Sequence, residues 1–257
     1  MFKPGSVKLG KKAARFDNRT LLMAEYIKAT LPAPPKQVNL TTKVVRKVKK
    51  NWGMMQNDVI GDCTCAAAGH LIMEWTANAK AKMIDPTTAQ IVSAYSAITG
   101  YNPRTGANDN GAVELDVLNY WRNTGIAGHK IAAFVALEPS NHQHIMDSVY
   151  IFGGCYIGVQ LPVSAQEQKV WTVPPEGTTG RGKPGSWGGH AVPVVAYDPR
   201  GLTVVTWGQL LRMTWSFWEA YCDEAFAILS PDYLTAKLKT PAGFDLKALQ
   251  SDLHAIH

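Results

Sequence analysis

The chain has 257 residues, 46% apolar and 18% charged, which is the balance of an ordinary globular protein with ample material for a buried core. No apolar run approaches the roughly 18 residues of a membrane span, and the N-terminus lacks the apolar stretch of a secretory signal. We therefore expect no membrane association and no secretion, and place the protein in the cytoplasm or within a virion.

Charge is distributed unevenly along the chain, whose net charge is +6. Residues 1–50 carry 13 Lys or Arg residues against only Asp17 and Glu25, a net charge of +11, and the remaining residues sum to −5. A basic segment of this kind either contacts nucleic acid or lies on an acidic face of its own body or of a partner. Because no recognition motif accompanies it, we disfavour nucleic acid and expect an acidic protein surface to hold it.

The first 33 residues are interpreted as a basic N-terminal arm. Within it, the partly apolar face of residues 18–29 predicts a short helix, and the prolines of LPAPPK predict extended chain over 31–38. The run KVVRKVKKNWG then alternates charge with valine, which indicates an exposed strand or a continuation of the arm.

Four helices are predicted in the next part of the chain. Residues 63–81, CTCAAAGHLIMEWTANAKA, combine helix formers with apolar positions at helical spacing. Further helices are predicted near 86–98, 112–123 and 141–152, where a proline suits a first turn and glycines suit helix ends.

After these helices the pattern changes to short runs rich in β-branched or aromatic residues, bounded by Gly, Pro or Asp: CYIGVQLPV, HAVPVVAY, LTVVTW and EAFAIL. Helices first and strands second predict an α+β architecture with a cleft between two halves. The tail, FDLKALQSDLHAI, has the pattern of a last amphipathic helix.

The segment QNDVIGDCTCAAAGHLI carries the first candidate site residue. Cys63 falls where a helix is predicted to begin, and the free N–H groups and dipole of a helix N-terminus stabilise a thiolate. Attack of a thiol on an acyl group also needs donors for the developing oxyanion. The side-chain amide of Asn57 and the backbone N–H of Cys63 are the donors that we expect.

The segment GSWGGHAVPVVAYD carries the second candidate site residue, His190. His190 heads a strong predicted strand after a glycine-rich turn that presents it at a cleft. A cysteine and a histidine distant in sequence and close in space are the usual requirement for nucleophilic catalysis by a thiol. Either residue alone is more often structural than catalytic, so the hypothesis depends on the two contexts together.

These segments resemble the papain-like cysteine peptidases. In that family an amide side chain lies six residues before the cysteine, the cysteine opens a long helix, and the histidine opens a strand in a GHAV context. NGAVELDVLNYWRNTGI resembles a helix of the family, and GGHAVPVVAYDPRGLTVVTWG resembles its paired strands ending in Asn-Ser-Trp-Gly. The resemblance implies a two-lobed α+β fold over residues 34–230, with a helical lobe at 34–135, an antiparallel β-barrel-like lobe at 136–230, and the active-site cleft between them; residues 231–257 are left as a C-terminal tail.

Three departures from that family bear on catalysis. Asn57 stands where the family has Gln, and Thr64 follows the cysteine in place of Trp. The asparagine that orients the histidine aligns with Val205, whose side chain accepts no hydrogen bond. Thr206, sixteen residues after His190, is the alternative orienting residue if the intervening turn is short.

Two functions are consistent with this reading. The first is a cysteine hydrolase that cleaves a peptide or other amide bond, with Cys63, His190, Asn57 and Thr206 as site residues. The second is a papain-like protein without effective catalysis, used as an assembly component of a larger particle such as a phage virion; transglutaminase-like acyl transfer is a weaker third.

The arm bears on the choice between them. Because it is shorter than most blocking prosegments of the family, we expect it to dock along an outer surface or onto a neighbouring chain, leaving Cys63 reachable. Four cysteines without metal-site spacing indicate reduced thiols, and we expect no metal or other cofactor.

Overall fold

The computed structural model describes residues 7–23, 32–49 and 51–243. Within them are six α-helices, whose bounds are α1 Thr41–Val48, α2 Cys63–Ala79, α3 Thr88–Thr99, α4 Glu114–Asn123, α5 His142–Phe152 and α6 Trp215–Tyr221. The helices expected over 18–29 and in the C-terminal tail lie largely or wholly outside the described residues. No helix in the described part is long and apolar enough to cross a bilayer.

Eight strands form one mixed sheet: β1 Val38–Asn39, β2 Ala133–Ala136, β3 Cys155–Leu161, β4 Val170–Trp171, β5 Gly188–Asp198, β6 Gly201–Thr206, β7 Gln209–Thr214 and β8 Cys222–Leu229. The strand order is β2-β8-β3-β5-β6-β7-β4, with β1 added to β5. All pairings are antiparallel except β4 with β7. The predicted α+β class, with helices first and strands second, is confirmed.

The four predicted helices and four predicted strands are all present, but residues 43–48, the first part of the run KVVRKVKKNWG, are helical rather than extended. Val44 is buried and Val48 partly buried against the helical core, which is the i, i+4 spacing of one helix face. Asn39 accepts hydrogen bonds from the backbone and hydroxyl of Thr41 at the start of α1. The exposed-strand prediction was wrong because the valines share a helix face that packs on α2.

Two apolar clusters lie on opposite faces of the long strands. One surrounds the nearly fully buried helix α2 and includes Ala191, Val195 and Val205 from the sheet. The other fills the interior between the sheet, α5 and α6. Helix α2 packs directly against β5, so its first residue and the first residues of β5 come together at one edge of the interface.

Candidate active site

Cys63 is the first residue of α2, as predicted. Its N-cap is Asp62, and both residues are buried. The backbone N–H groups of Ala191 and Gly10 donate hydrogen bonds to the sulfur, so the Cys63 thiol lies against the residue that follows His190. The fold therefore brings the two predicted segments to one point, although Cys63 and His190 are 127 residues apart in the chain.

His190 is fully buried near the start of β5, and its two ring nitrogens have different surroundings. Nε2 lies 2.8 Å from Oγ1 of Thr206, and the ring stacks on Trp207 with centroids 4.5 Å apart. Nδ1 has no hydrogen-bond partner among the residues that the structure describes. Nε2 is thus held by a hydroxyl group, and Nδ1 has no partner among the described residues that would prevent it from taking a proton.

The strand register explains why Thr206, and not Val205, contacts the histidine. Successive side chains of a strand point to opposite faces. Val205 points into the helical core with Ala191 and Val195, whereas Thr206 points the other way toward the imidazole. The turn between β5 and β6 is short, with Asp198 paired to Gly201.

Asn57 is buried in the loop before α2, and its amide is already engaged. Nδ2 lies 3.5 Å from the carbonyl oxygen of Ile60, and the side chain lies beside the carboxyl group of Asp62. Burial raises the pKa of Asp62 well above its ordinary value, and Asn57 partly offsets that rise. The amide lies next to the residue that caps α2, so an oxyanion role for Asn57 requires it to exchange these partners.

The basic arm crosses the mouth of this site, which corrects our expectation that it docks on an outer surface. Residues 7–12, here called the strap, run between the lobes. Lys11 N–H donates to the Gly189 carbonyl at 3.1 Å, and Lys12 N–H donates to the Ala112 carbonyl at 2.9 Å. Ala112 N–H in turn donates to the Gly10 carbonyl at 2.8 Å, so the strap pairs in parallel with this segment.

Acidic groups of the body hold the arm, as the charge asymmetry predicted. Lys8 pairs with Asp109, Arg15 Nη1 lies 3.1 Å from Asp116, and Lys11 pairs with two carboxylates considered below. The expectation of a reachable Cys63 was wrong because backbone hydrogen bonds and buried apolar stems add to these ion pairs, and together they seat the strap in the cleft. Only 1% of Cys63 is exposed.

Gly10 lies close against the loop that precedes α2. A Cβ atom built on Gly10 would lie 1.9 Å from the carbonyl oxygen of Gly61, two residues before Cys63. Gly10 does not have a positive φ, so it is the space that demands glycine here. No local pattern in the sequence marks this residue, because a close approach between distant segments leaves none.

Burial at this site disfavours the charged forms of the thiol and the imidazole. It raises the pKa of Cys63 from 9.0 to about 12, and it lowers the pKa of His190 from 6.5 to about 3. Both shifts have desolvation as their largest cause, because a buried site without water disfavours the charged form of either group. The covered pair is therefore a neutral thiol and a neutral imidazole.

The ion pairs of Lys11 lead to a pH-dependent prediction about stability. The buried Glu114 and Glu224 have pKa values raised by burial, and Lys11 opposes both rises. The two glutamates with raised pKa values therefore favour folding below about 4.5, and this contribution is lost as the pH rises through their folded-state pKa values. Lys11 offsets part of that loss, because it pairs with the ionised carboxylates. Lys11→Met should therefore lower the free energy of unfolding by about 3 kcal/mol at pH 7 and by clearly less at pH 4.

Chemical denaturation at the two pH values measures this difference. Lys12→Met is the matched control, because Lys12 is exposed and adjacent in the strap, and its loss should matter little at either pH. If Lys11→Met lost the same free energy of unfolding at both pH values, the ionised carboxylates would not be the cause of the loss.

Comparison with known structures places this fold among papain-like cysteine proteases. Xylellain, a cysteine protease from Xylella fastidiosa, matches with a TM-score of 0.65 at 17% identity, over 90% of this chain and 98% of its own. A procathepsin B S9 from Trypanosoma congolense matches with a TM-score of 0.56 at 11% identity, over 87% and 86%. Procathepsin L 3 from the larval midgut of Tenebrio molitor gives 0.53 at 13%, over 80% and 74%.

No protein-family model matches the sequence, and no curated protein is significantly similar to it. At the identities found, the likeness to solved structures establishes the papain-like fold. The chemistry must be argued from the residues of this chain.

Proposed function

We propose that this protein is a cysteine hydrolase that cleaves peptide or other amide bonds, with Cys63 as nucleophile and His190 as general base. The observation that carries the proposal is the asymmetric state of His190. Its Nε2 is held by Thr206 while its buried Nδ1 has no partner among the described residues, and the thiol lies against the neighbouring Ala191. A buried nitrogen without a partner costs stability, which a catalytic role explains.

Each residue has a defined part in the proposed reaction. His190 Nδ1 takes the proton of Cys63, and the thiolate attacks the carbonyl carbon of the substrate to form a C–S bond. The Cys63 N–H and the Asn57 amide donate to the oxyanion. The C–N bond then breaks as the imidazolium gives its proton to the leaving amine, and water, deprotonated by His190, cleaves the thioester to release the acid and restore the thiol.

The strap is not positioned as a substrate in this site. It offers Cys63 the N–H of Gly10, whereas attack requires a carbonyl carbon. The Gly10 carbonyl is hydrogen-bonded to Ala112 instead. We therefore treat the closed form as a resting state, in which the strap excludes substrate without being cut.

The proposal is tested with an acyl-peptidyl reagent that alkylates only an activated thiol. After the strap is opened by substitution, we expect one adduct, mapped by mass spectrometry to Cys63, and none at Cys65, Cys155 or Cys222. The last three are packing residues with raised thiol pKa values. His190→Ala should abolish the adduct, and labelling that persists without His190 would exclude the proposed pair.

A further inference from the structure

The side chain of Lys11 fills an acidic pocket, and Gly10, the preceding residue of the strap, reaches the candidate nucleophile. Its Nζ lies 2.9 Å from Oδ2 of Asp223 and 2.8 Å from Oε1 of Glu224, and its side chain is fully buried. The stem passes over Gly158, where an added Cβ would lie 1.9 Å from the Lys11 Cε atom. The pocket therefore has room for a long unbranched stem and carboxylates at its end.

The pocket has more carboxyl groups than the strap has ammonium groups to pair with them. Glu114, the first residue of α4, is fully buried and interacts electrostatically with Lys11, yet neither of its oxygens has a hydrogen-bond partner in the described part of the chain. Three carboxylates thus face one ammonium group. Two neutral groups also contact this cluster: Gln160 Nε2 donates to Asp223 at 2.6 Å, and the backbone carbonyl of Lys12 accepts from Lys11 Nζ at 3.2 Å.

The backbone around the pocket suits any extended peptide. Lys11 is held by the Gly189 carbonyl, and its neighbours in the strap are held by both backbone groups of Ala112. These are main-chain groups, so they bind an extended chain whatever its side chains are. Gly10, one residue before Lys11, is the residue whose N–H reaches Cys63. A substrate on the same track would place a side chain in this pocket within one or two residues of the scissile bond.

We infer that this pocket is a specificity site that takes the cationic side chain, lysine or arginine, of the substrate near the scissile bond. The inference rests on the proposed function. When the strap leaves, Glu114, Asp223 and Glu224 lose their buried counter-ion, and their mutual repulsion is relieved by another cation or by proton uptake. An acidic side chain would add to the repulsion, and an apolar one would leave the carboxylates buried and unpaired.

The experiment uses the full-length chain with Gly10→Ala and Lys11→Ala, which together prevent the strap from seating and empty the pocket. Matched tripeptide aminomethylcoumarin amides carry arginine, norleucine or glutamate at each of the two positions before the scissile bond. Hydrolysis gives kcat/KM, and binding of the same peptides to a version that also has Cys63→Ala is measured by calorimetry. We expect arginine to exceed norleucine by 10-fold or more at one position in both measurements, and glutamate to be rejected.

Charge-neutral variants assign that preference to the pocket. Asp223→Asn with Glu224→Gln should reduce the ratio of arginine to norleucine by 10-fold or more, and Glu224→Gln alone should reduce it in part. Asp116→Asn, which removes a carboxylate facing the arm outside the pocket, should leave the ratio unchanged. Because the readout is a ratio within one variant, it does not depend on how much of that variant folds.

The outcomes separate the inference from the proposed function. Hydrolysis without a preference for arginine, or a preference that survives Asp223→Asn with Glu224→Gln, overturns the pocket inference and leaves the hydrolase standing. Selective binding of arginine peptides without hydrolysis supports the pocket and overturns the hydrolase. Equal binding of arginine and norleucine peptides with no hydrolysis overturns both.

Discussion

Gly10→Ala should accelerate alkylation of Cys63 by iodoacetamide at pH 7.5 by a factor on the order of 10² to 10³. The added methyl group would lie 1.9 Å from the backbone oxygen of Gly61 and 2.3 to 2.4 Å from two more backbone atoms of that residue. Backbone atoms on both sides cannot turn aside as a side chain can, so the strap must leave its seat.

The size of the effect follows from the ionisation of the thiol as well as from its accessibility to the reagent. A thiol with a pKa of about 12 contains about a thousandfold less thiolate near neutral pH than one with a pKa of 9.0. Removing the strap returns water to Cys63 and removes part of the desolvation that raises its pKa. Because only the thiolate reacts, steric opening and ionisation act in the same direction.

Ala13→Ser is the matched control. It also adds one heavy atom, but at an exposed residue that directly follows the strap. Its labelling rate should equal that of the wild type. The rate is followed by mass spectrometry of intact protein and mapped to Cys63 in tryptic peptides. Wild-type labelling as fast as that of Gly10→Ala would show that the strap does not cover the thiol in solution.

Much of this site could be anticipated from local pattern alone. The helix that begins at Cys63 and the strand that begins near His190 are encoded by contiguous residues, with helical spacing in one and β-branched residues in the other. The order of helices before strands was enough to predict the α+β class. The charge asymmetry further indicated that the acidic body holds the basic arm.

Local sequence pattern could not predict which distant segments of the chain contact each other. The path of the strap depends on Gly10 and Gly61 approaching across the cleft and on a pocket assembled from α4 and β8. The choice between Val205 and Thr206 depends on which face of β6 meets the imidazole, and a shift of one residue inverts that face. The valines of α1 fit a strand or a helix until their partner, α2, is known.

The closed form of the protein and the substrate preference that we infer depend on the same acidic pocket. The same carboxylates that bind Lys11 in the closed form are those we assign to a substrate cation in the open form. The strap therefore competes with substrate for one pocket while it also covers the thiol. A weakened Lys11 contact should raise substrate access and lower stability at neutral pH at once.

Thr206→Val should reduce kcat of the strap-opened protein by roughly 10²-fold, with a small effect on KM. Valine has nearly the shape of threonine but accepts no hydrogen bond, so the buried Nε2 of His190 loses the partner at 2.8 Å that fixes its tautomer. With Nε2 protonated and donating to Thr206, Nδ1 is the basic nitrogen that takes the thiol proton in the mechanism we propose. Without that contact the other tautomer becomes competitive, and an imidazole in the wrong tautomer cannot accept the thiol proton.

Thr206→Ser supplies the control that separates positioning from packing. Serine removes the methyl group but keeps the hydroxyl, so it should retain most of kcat even if it lowers stability more than valine does. The pH profile gives a second readout, because losing the acceptor disfavours the imidazolium and should shift the acid limb of kcat/KM to lower pH. A Thr206→Val variant with full kcat and an unchanged profile would remove Thr206 from the mechanism. His190 would then have to be oriented by its stacking on Trp207 alone, and Trp207→Leu in the same background should lower kcat where Thr206→Val did not.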